Sequence, residues 1–319
     1  LAVVALAGLV SVRPLSPFAV GILGVTLFFA ALLTFTLGLL QGLGRFGWFG
    51  AVYIAMALVR LVVGVALVVG LSAPGAPTEP VNGAFLGAAV AIVVGTVGTL
   101  LPIAPLLRAA RGAVHEVDLG RAETRFFLLA AVIFLGYASL TFVDGLVAPW
   151  RIPAESGAYA GAITMAKIVL FAPIAVGFIL LERTARADAL GHPTDRALLA
   201  ALGFVLLTSG VVTAAYLVAP EPLVAIVVGT QYPETAALVG PYGIAALSNA
   251  ILGLWIAYFV GRGWMLVGGL IAVAVAVELT LILAVASDAM TMVRIVLGVA
   301  LATQASAVAI YLRGRSRRR

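Results

Sequence analysis

The chain has 319 residues, of which 63% are hydrophobic and 10% charged, with a mean hydropathy of +1.20 and a net charge of +6. A soluble domain carries about 25% charged residues, so this composition cannot clothe its apolar surface in water and excludes a soluble globular protein. The lack of cysteine excludes disulfides and thiolate-bound metals. The two histidines, His115 and His192, sit far apart in polar connectors and argue against a metal site; no cofactor is expected.

The residues read as ten apolar runs, each compared with the roughly 20 residues that a bilayer-crossing helix needs. The first, 1–12, is partial. Leu1 already lies inside it, and neither a basic n-region nor a cleavage site marks a signal peptide, so an N-terminally truncated chain is expected. The second run, 17–41, ends in Gln41-Gly42-Leu43-Gly44-Arg45-Phe46-Gly47, whose core fits G-x-G-x-x-G. That fingerprint binds a dinucleotide only between a strand and a helix, with an acidic residue about 20 positions on. Here it joins two apolar runs and no such acid follows, so it reads as a tight interhelical turn.

The third run, 47–72, carries Arg60 at its centre, and the fourth spans 82–107 after the Pro- and Gly-rich SAPGAPTEPVNG. The connector 108–125 is the longest charged one, and an amphipathic surface helix is one reading of it. Six runs follow: 125–148 with Asp144, 157–181 with Lys167, 196–219, 236–260 with Asn249, 264–287 with Glu278, and 289–312 before the basic tail. All are too long and too uniform for strands. The fold class expected is therefore an all-α polytopic membrane protein with about ten transmembrane helices.

Cytoplasmic loops carry an excess of Lys and Arg. With the tail inside, 14 of the 19 basic residues fall on inside connectors and three (Arg13, Arg151 and Arg294) outside; Arg60 and Lys167 lie within spans. Both ends of this chain are then cytoplasmic, in the cell membrane. The tail reads as an anchor beside anionic lipid, not as a nucleic-acid arm. Trp150, Trp255, Trp264 and Tyr53 fall near span ends, where an aromatic belt places them.

A weak repeat is present. Gly44-Arg45 and Gly261-Arg262 lie 217 residues and six spans apart, and each is followed by a mid-span charge, Arg60 or Glu278. This suggests parallel six-helix units, with an N-terminal lobe (1–115) of four spans and a C-terminal lobe (116–319) of six. Two helices would then be missing from the first lobe.

Four ionisable residues lie within spans, and a charge at mid-bilayer costs about 2.5–3.5 kcal/mol on insertion scales. Arg60 lies about 20 Å along its helix from the cytoplasmic end. Arg60 and Lys167 are candidate cavity residues for a phosphate group, which arginine's planar fork suits. The structural alternative pairs Lys167 with Asp144. Asp144 and Glu278 are candidates for ion coupling, with an interfacial place or charge pairing as the plainer alternatives. Asn249 is a candidate cavity polar group, interhelical hydrogen bonding being its default. No nucleophile–base or paired-acid arrangement points to an enzyme.

The run QGLGRF (41–46) after one span, with Arg60 in the next, resembles the polysaccharide and O-antigen exporters. These are the lipid-linked oligosaccharide flippases of the multidrug/oligosaccharidyl-lipid/polysaccharide exporter superfamily. Residues 139–180 are similar to that family's seventh and eighth helices through Asp144, Tyr159, Lys167 and Pro173. Residues 227–263 resemble the following pair through Gly229, Tyr232, Asn249, Gly261 and Arg262. The resemblance covers roughly residues 30–265. It implies two six-helix lobes around a central cavity, alternating access and a lipid-linked oligosaccharide as cargo. Membrane lipid and polysaccharide assembly proteins are the other partners it implies. The sequence departs from that pattern by lacking the first two spans. A cation-coupled drug or metabolite antiporter of the same superfamily is the alternative.

Overall fold

The computed structural model describes residues 17–71, 80–110 and 120–316. All the regular structure in them is α-helical. Among the described residues, eight helices are each long and apolar enough to cross a membrane, and a bent one makes a ninth when its halves count as one span. The protein is thus an all-α polytopic membrane protein. The nine helices coincide with the nine apolar runs from residue 17 onward; the partial run 1–12 lies outside the described residues, as does most of the connector 108–125.

The chain divides into two compact units, Leu1–Val117 and Asp118–Arg319. In the first, α1 (Pro17–Gly42), α2 (Phe46–Leu71) and α3 (Pro80–Ala110) pack with α3 against both others. The α1–α2 turn explains its glycines. Gly44 takes φ +67°, and its N–H and those of Leu43 and Arg45 close onto the last carbonyls of α1, which a left-handed residue just past a helix end allows. Helices α2 and α3 meet backbone to backbone: a Cβ on Gly87 would lie 2.5 Å from the Cα of Gly64. Small residues permit this approach in a membrane, where packing and not water drives association.

Proline sets the remaining polar contact. Pro102, inside α3, has no N–H to give the carbonyl of Gly98, and the indole N–H of Trp48 on α2 takes it at 2.8 Å. The Arg45 guanidinium donates to the Pro102 carbonyl at 3.2 Å. Thr36 of α1 and Thr99 of α3 share a buried hydroxyl bond of 2.6 Å.

The second unit holds α4 (Arg121–Arg151), α5 (Ser156–Ala189), α6 (Asp195–Val218), α7 (Pro220–Val227), α8 (Thr235–Gly261), α9 (Val267–Val285) and α10 (Ala289–Ser316). Helix α8 is its hub: 78% of its apolar window is buried, against 17% for α4. It packs on α5, α6 and α10 most of all, while α4 rests mainly on α9. Tyr137 of α4 donates to the Asn249 carbonyl at 2.9 Å, and Gly253 leaves room for its ring.

The short helix α7 follows α6 directly, with Pro220 in its first turn where a missing N–H costs nothing. Helix α5 outruns its apolar stretch. Its last two turns are polar, and Arg186 pairs there with Glu182 one turn earlier at 2.6 Å. It also bends by 41° between Ser156–Leu170 and Pro173–Ala189. Pro173 leaves the carbonyl of Val169 without its helical donor, and the hydroxyl of Ser209 on α6 supplies one at 2.7 Å, fully buried.

Candidate functional site

Four helices of the second unit each bring one polar side chain to the same buried place. Asp144 lies on α4, Tyr159 on α5, Tyr242 on α8 and Glu278 on α9. Asp144 and Glu278 are each 1% exposed. Tyr159 donates its hydroxyl to Asp144 Oδ2 at 2.6 Å, and Tyr242 donates to the same oxygen. The two rings meet edge to face, with centroids 5.6 Å apart.

The sequence builds this locally. The turn after α4 is short, so α5 returns antiparallel, and Tyr159 comes level with Asp144 although 15 residues separate them. Tyr242 follows Pro241 and precedes Gly243 in α8, and the small neighbours Ala245 and Ala246 keep that face narrow.

Glu278 stands within electrostatic reach of Asp144 and Tyr242. Its Oε1 and the Oδ1 of Asp144 are buried and accept no hydrogen bond from the protein. Among the described residues neither carboxyl makes an ion pair. Two neighbouring carboxyl groups buried at spanning depth without an ion-pair partner among the described residues cannot both stay charged at low cost. The arrangement is suited to taking up one positive charge, as a proton or as a small cation held by oxygen ligands.

The other expected site residues lie elsewhere. Lys167 is exposed on α5 at the rim of a small crevice of about 10 Å³, with Thr141, Tyr242 and Asn249 among its walls. That is space for about one water. The pairing of Lys167 with Asp144 is not formed; two tyrosine hydroxyls take its place. Asn249 is 4% exposed, its Oδ1 has no donor, and it lies on the wall of this crevice. Arg60 belongs to the first unit and is exposed on α2. No group of three or more His, Asp or Glu able to hold a metal occurs among the described residues.

Tyr242 is the residue that sequence reading passes over. A tyrosine counts as apolar in a hydropathy window, and only its place between Pro241 and Gly243 marks it. A second polar knot also forms where α5 and α8 end and α6 begins. Arg262 donates to Asp188 at 3.1 Å and to the Tyr258 hydroxyl at 2.8 Å, and stacks over Trp264 at 5.0 Å. Tyr258 donates in turn to Asp195 at 3.0 Å. At the opposite end of the unit, Asp288 caps α10 through the N–H and hydroxyl of Thr291, at 2.8 and 2.7 Å. Those bonds hold its carboxyl below the usual carboxylate range. Comparison of the chain with family models, with characterised proteins and with solved structures gives no match.

Proposed function

We propose that the protein is a cation-coupled membrane exporter, with the Asp144–Glu278 pair as the coupling site. The observation that carries this reading is the buried pair itself: two carboxyl groups and two tyrosine hydroxyls brought together by four helices, with no basic partner among the described residues. Such a pair is costly unless it serves an ion. The loop charges support an orientation with both ends of this chain cytoplasmic, and the cell membrane is the location this reading takes.

The cargo in this reading is a lipid-linked oligosaccharide carried by alternating access, as the family resemblance implies. Arg60 of the first unit and Lys167 of the second, each exposed on its own helix, are then separate candidates for contact with a phosphate group. A drug or metabolite antiporter is the second reading. It is favoured by the position of the buried chemistry at the carboxyl groups and not at the arginine.

The test uses the full chain in proteoliposomes, with a fluorescent lipid-linked oligosaccharide and an imposed proton or sodium gradient. Cargo movement should follow the gradient. It should be lost in Asp144→Asn and Glu278→Gln, and reduced in Arg60→Ala. Flux that ignores both carboxyl substitutions ends the coupling assignment. Flux of small cations with no oligosaccharide movement, and with Arg60→Ala like the parent, selects the antiporter.

A further inference from the structure

Helix α4 overhangs the helix it rests on. Ile133 packs against Gly268 in the first turn of α9, and Gly136 against Ile271 one turn further along. From Ile133 back to its start at Arg121, α4 runs on for about 18 Å. Over that overhang one face of it forms an open groove of about 510 Å³, lined by Arg121, Thr124, Arg125, Leu128 and Leu129. Their helical spacing puts all five on one stripe, and all five are exposed. Leu129 is one turn before Ile133, so the groove borders the face that α9 covers further along.

The charges in the groove are one-sided. Neither arginine makes an ion pair among the described residues. Glu123 stands between them in sequence, but residues two apart on a helix do not share a face, and its carboxyl lies against Gly120. The stripe is thus basic at one end and apolar at the other. The two arginines stand about 6 Å apart along the axis, and Arg121 and Leu129 about 12 Å. The polar zone on each side of a bilayer is about 5–8 Å deep. A groove of this length crosses that zone, with arginines at the level of lipid phosphates and leucines beside the upper acyl chains.

We propose that this groove holds one anionic phospholipid of the cytoplasmic leaflet, its phosphate on Arg121 and Arg125 and its chains along Leu128 and Leu129. Charge complementarity selects the occupant. A free phosphate would leave the leucines uncovered, and a bare acyl chain would leave two arginines unpaired. A zwitterionic lipid would bring its own cation against them. The planar fork of arginine takes two oxygens of one phosphate. The leaflet follows from the orientation that the loop charges support. The bound lipid covers the stretch of α4 that α9 leaves open. The site lies within the second unit and does not rest on the transport reading.

The full chain is purified in detergent, depleted of lipid and titrated with phosphatidylglycerol or phosphatidylcholine of identical chains. Native mass spectrometry counts the lipids bound. Each arginine near an anionic surface should contribute about fivefold, so the first lipid should favour phosphatidylglycerol by about 25-fold. Arg121→Gln or Arg125→Gln should leave about fivefold, and the double variant a ratio of about one. Arg183→Gln with Arg196→Gln removes two exposed arginines of α5 and α6 outside the groove and should leave the preference unchanged.

A second measurement places the lipid. The chain has no cysteine, and Val132 is exposed one turn beyond Leu128 on the same stripe. A bimane label on Val132→Cys, in phosphatidylcholine vesicles with a minor fraction of phosphatidylglycerol, should be quenched more by brominated phosphatidylglycerol than by an equal fraction of brominated phosphatidylcholine. This comparison needs only the labelled protein, so it stands whether or not the double arginine variant folds.

Equal binding or equal quenching by the two lipids overturns the site. So does a preference that the Arg183/Arg196 variant loses equally, which would mark diffuse attraction to the protein's positive charge. Displacement of the lipid by glycerol phosphate at equal concentration would make it a free-phosphate site. A preference absent from the parent but present in Glu116→Gln with Asp118→Asn would seat the connector's own carboxylates, which lie outside the described residues, on the arginines in place of lipid.

Discussion

Replacing Tyr159 by Phe removes one hydroxyl from a carboxyl group that has no basic partner among the described residues. Hydrogen bonds to charged groups contribute about 1.5–3 kcal/mol in soluble proteins. Interhelical ones in membranes average about 0.6 and reach about 1.7 kcal/mol. Both partners here are essentially sealed from solvent, Tyr159 at 0% and Asp144 at 1% exposure, so we expect the upper end of the membrane range, about 1.5 kcal/mol. Tyr242→Phe should cost about the same, since it serves the same oxygen. The double variant removes both hydroxyl donors from the carboxyl and should exceed the sum by about 1 kcal/mol. In an Asp144→Asn background the acceptor is neutral, and Tyr159→Phe should cost only about 0.5 kcal/mol. Unfolding free energies in bicelles supply the cycle. Equal costs for Tyr159→Phe in the Asp and Asn backgrounds would refute the claim that the ionisable oxygen is what the tyrosines hold.

Three further outcomes are expected. Gly87→Ala forces a Cβ within 2.5 Å of the Gly64 backbone and should destabilise the first unit by about 1–3 kcal/mol, whereas Gly24→Ala, with nothing within 4 Å, should not; thermal unfolding in detergent separates them. Asp288→Ala removes the cap of α10. Because the folded carboxyl titrates below its ordinary value of 3.8, the stabilisation is complete above the unfolded value and is lost as pH falls through the depressed one. Parent and variant should therefore differ in amide exchange at Thr291 near neutral pH and converge in acid. Arg262→Lys keeps the charge but loses the fork that reaches Asp188 and Tyr258 and the stacking on Trp264, and should cost about 1–2 kcal/mol in thermal unfolding.

The spans were legible because a bilayer demands about 20 consecutive apolar residues and almost nothing else does. The turn at Gly44 could likewise be read from its glycines and neighbours. Less was legible at helix ends. Helix α5 continues past its apolar run because Glu182 and Arg186 support it, and α7 is too short to leave a hydropathy trace. The carboxyl groups of the site stood out as charges in apolar runs, but their partners did not. Lys167 is the obvious mate for Asp144 by charge, yet pairing depends on which way each helix face turns, and that is decided by packing on α8. Pro173 was visible as a residue; the 41° bend and the hydroxyl that steadies it depend on α6.

Two carbonyls released by prolines are claimed by side chains from other helices, Gly98 by Trp48 and Val169 by Ser209. Backbone groups left bare in hydrocarbon cost several kcal/mol, so these contacts bear on how the chain is made. Trp48 precedes Gly98 in synthesis, and its donor is waiting when α3 arrives. Ser209 comes after Val169. Helix α5 therefore enters the bilayer with an unmet carbonyl, and it should linger at the insertion machinery until α6 emerges, the two partitioning into lipid as a pair.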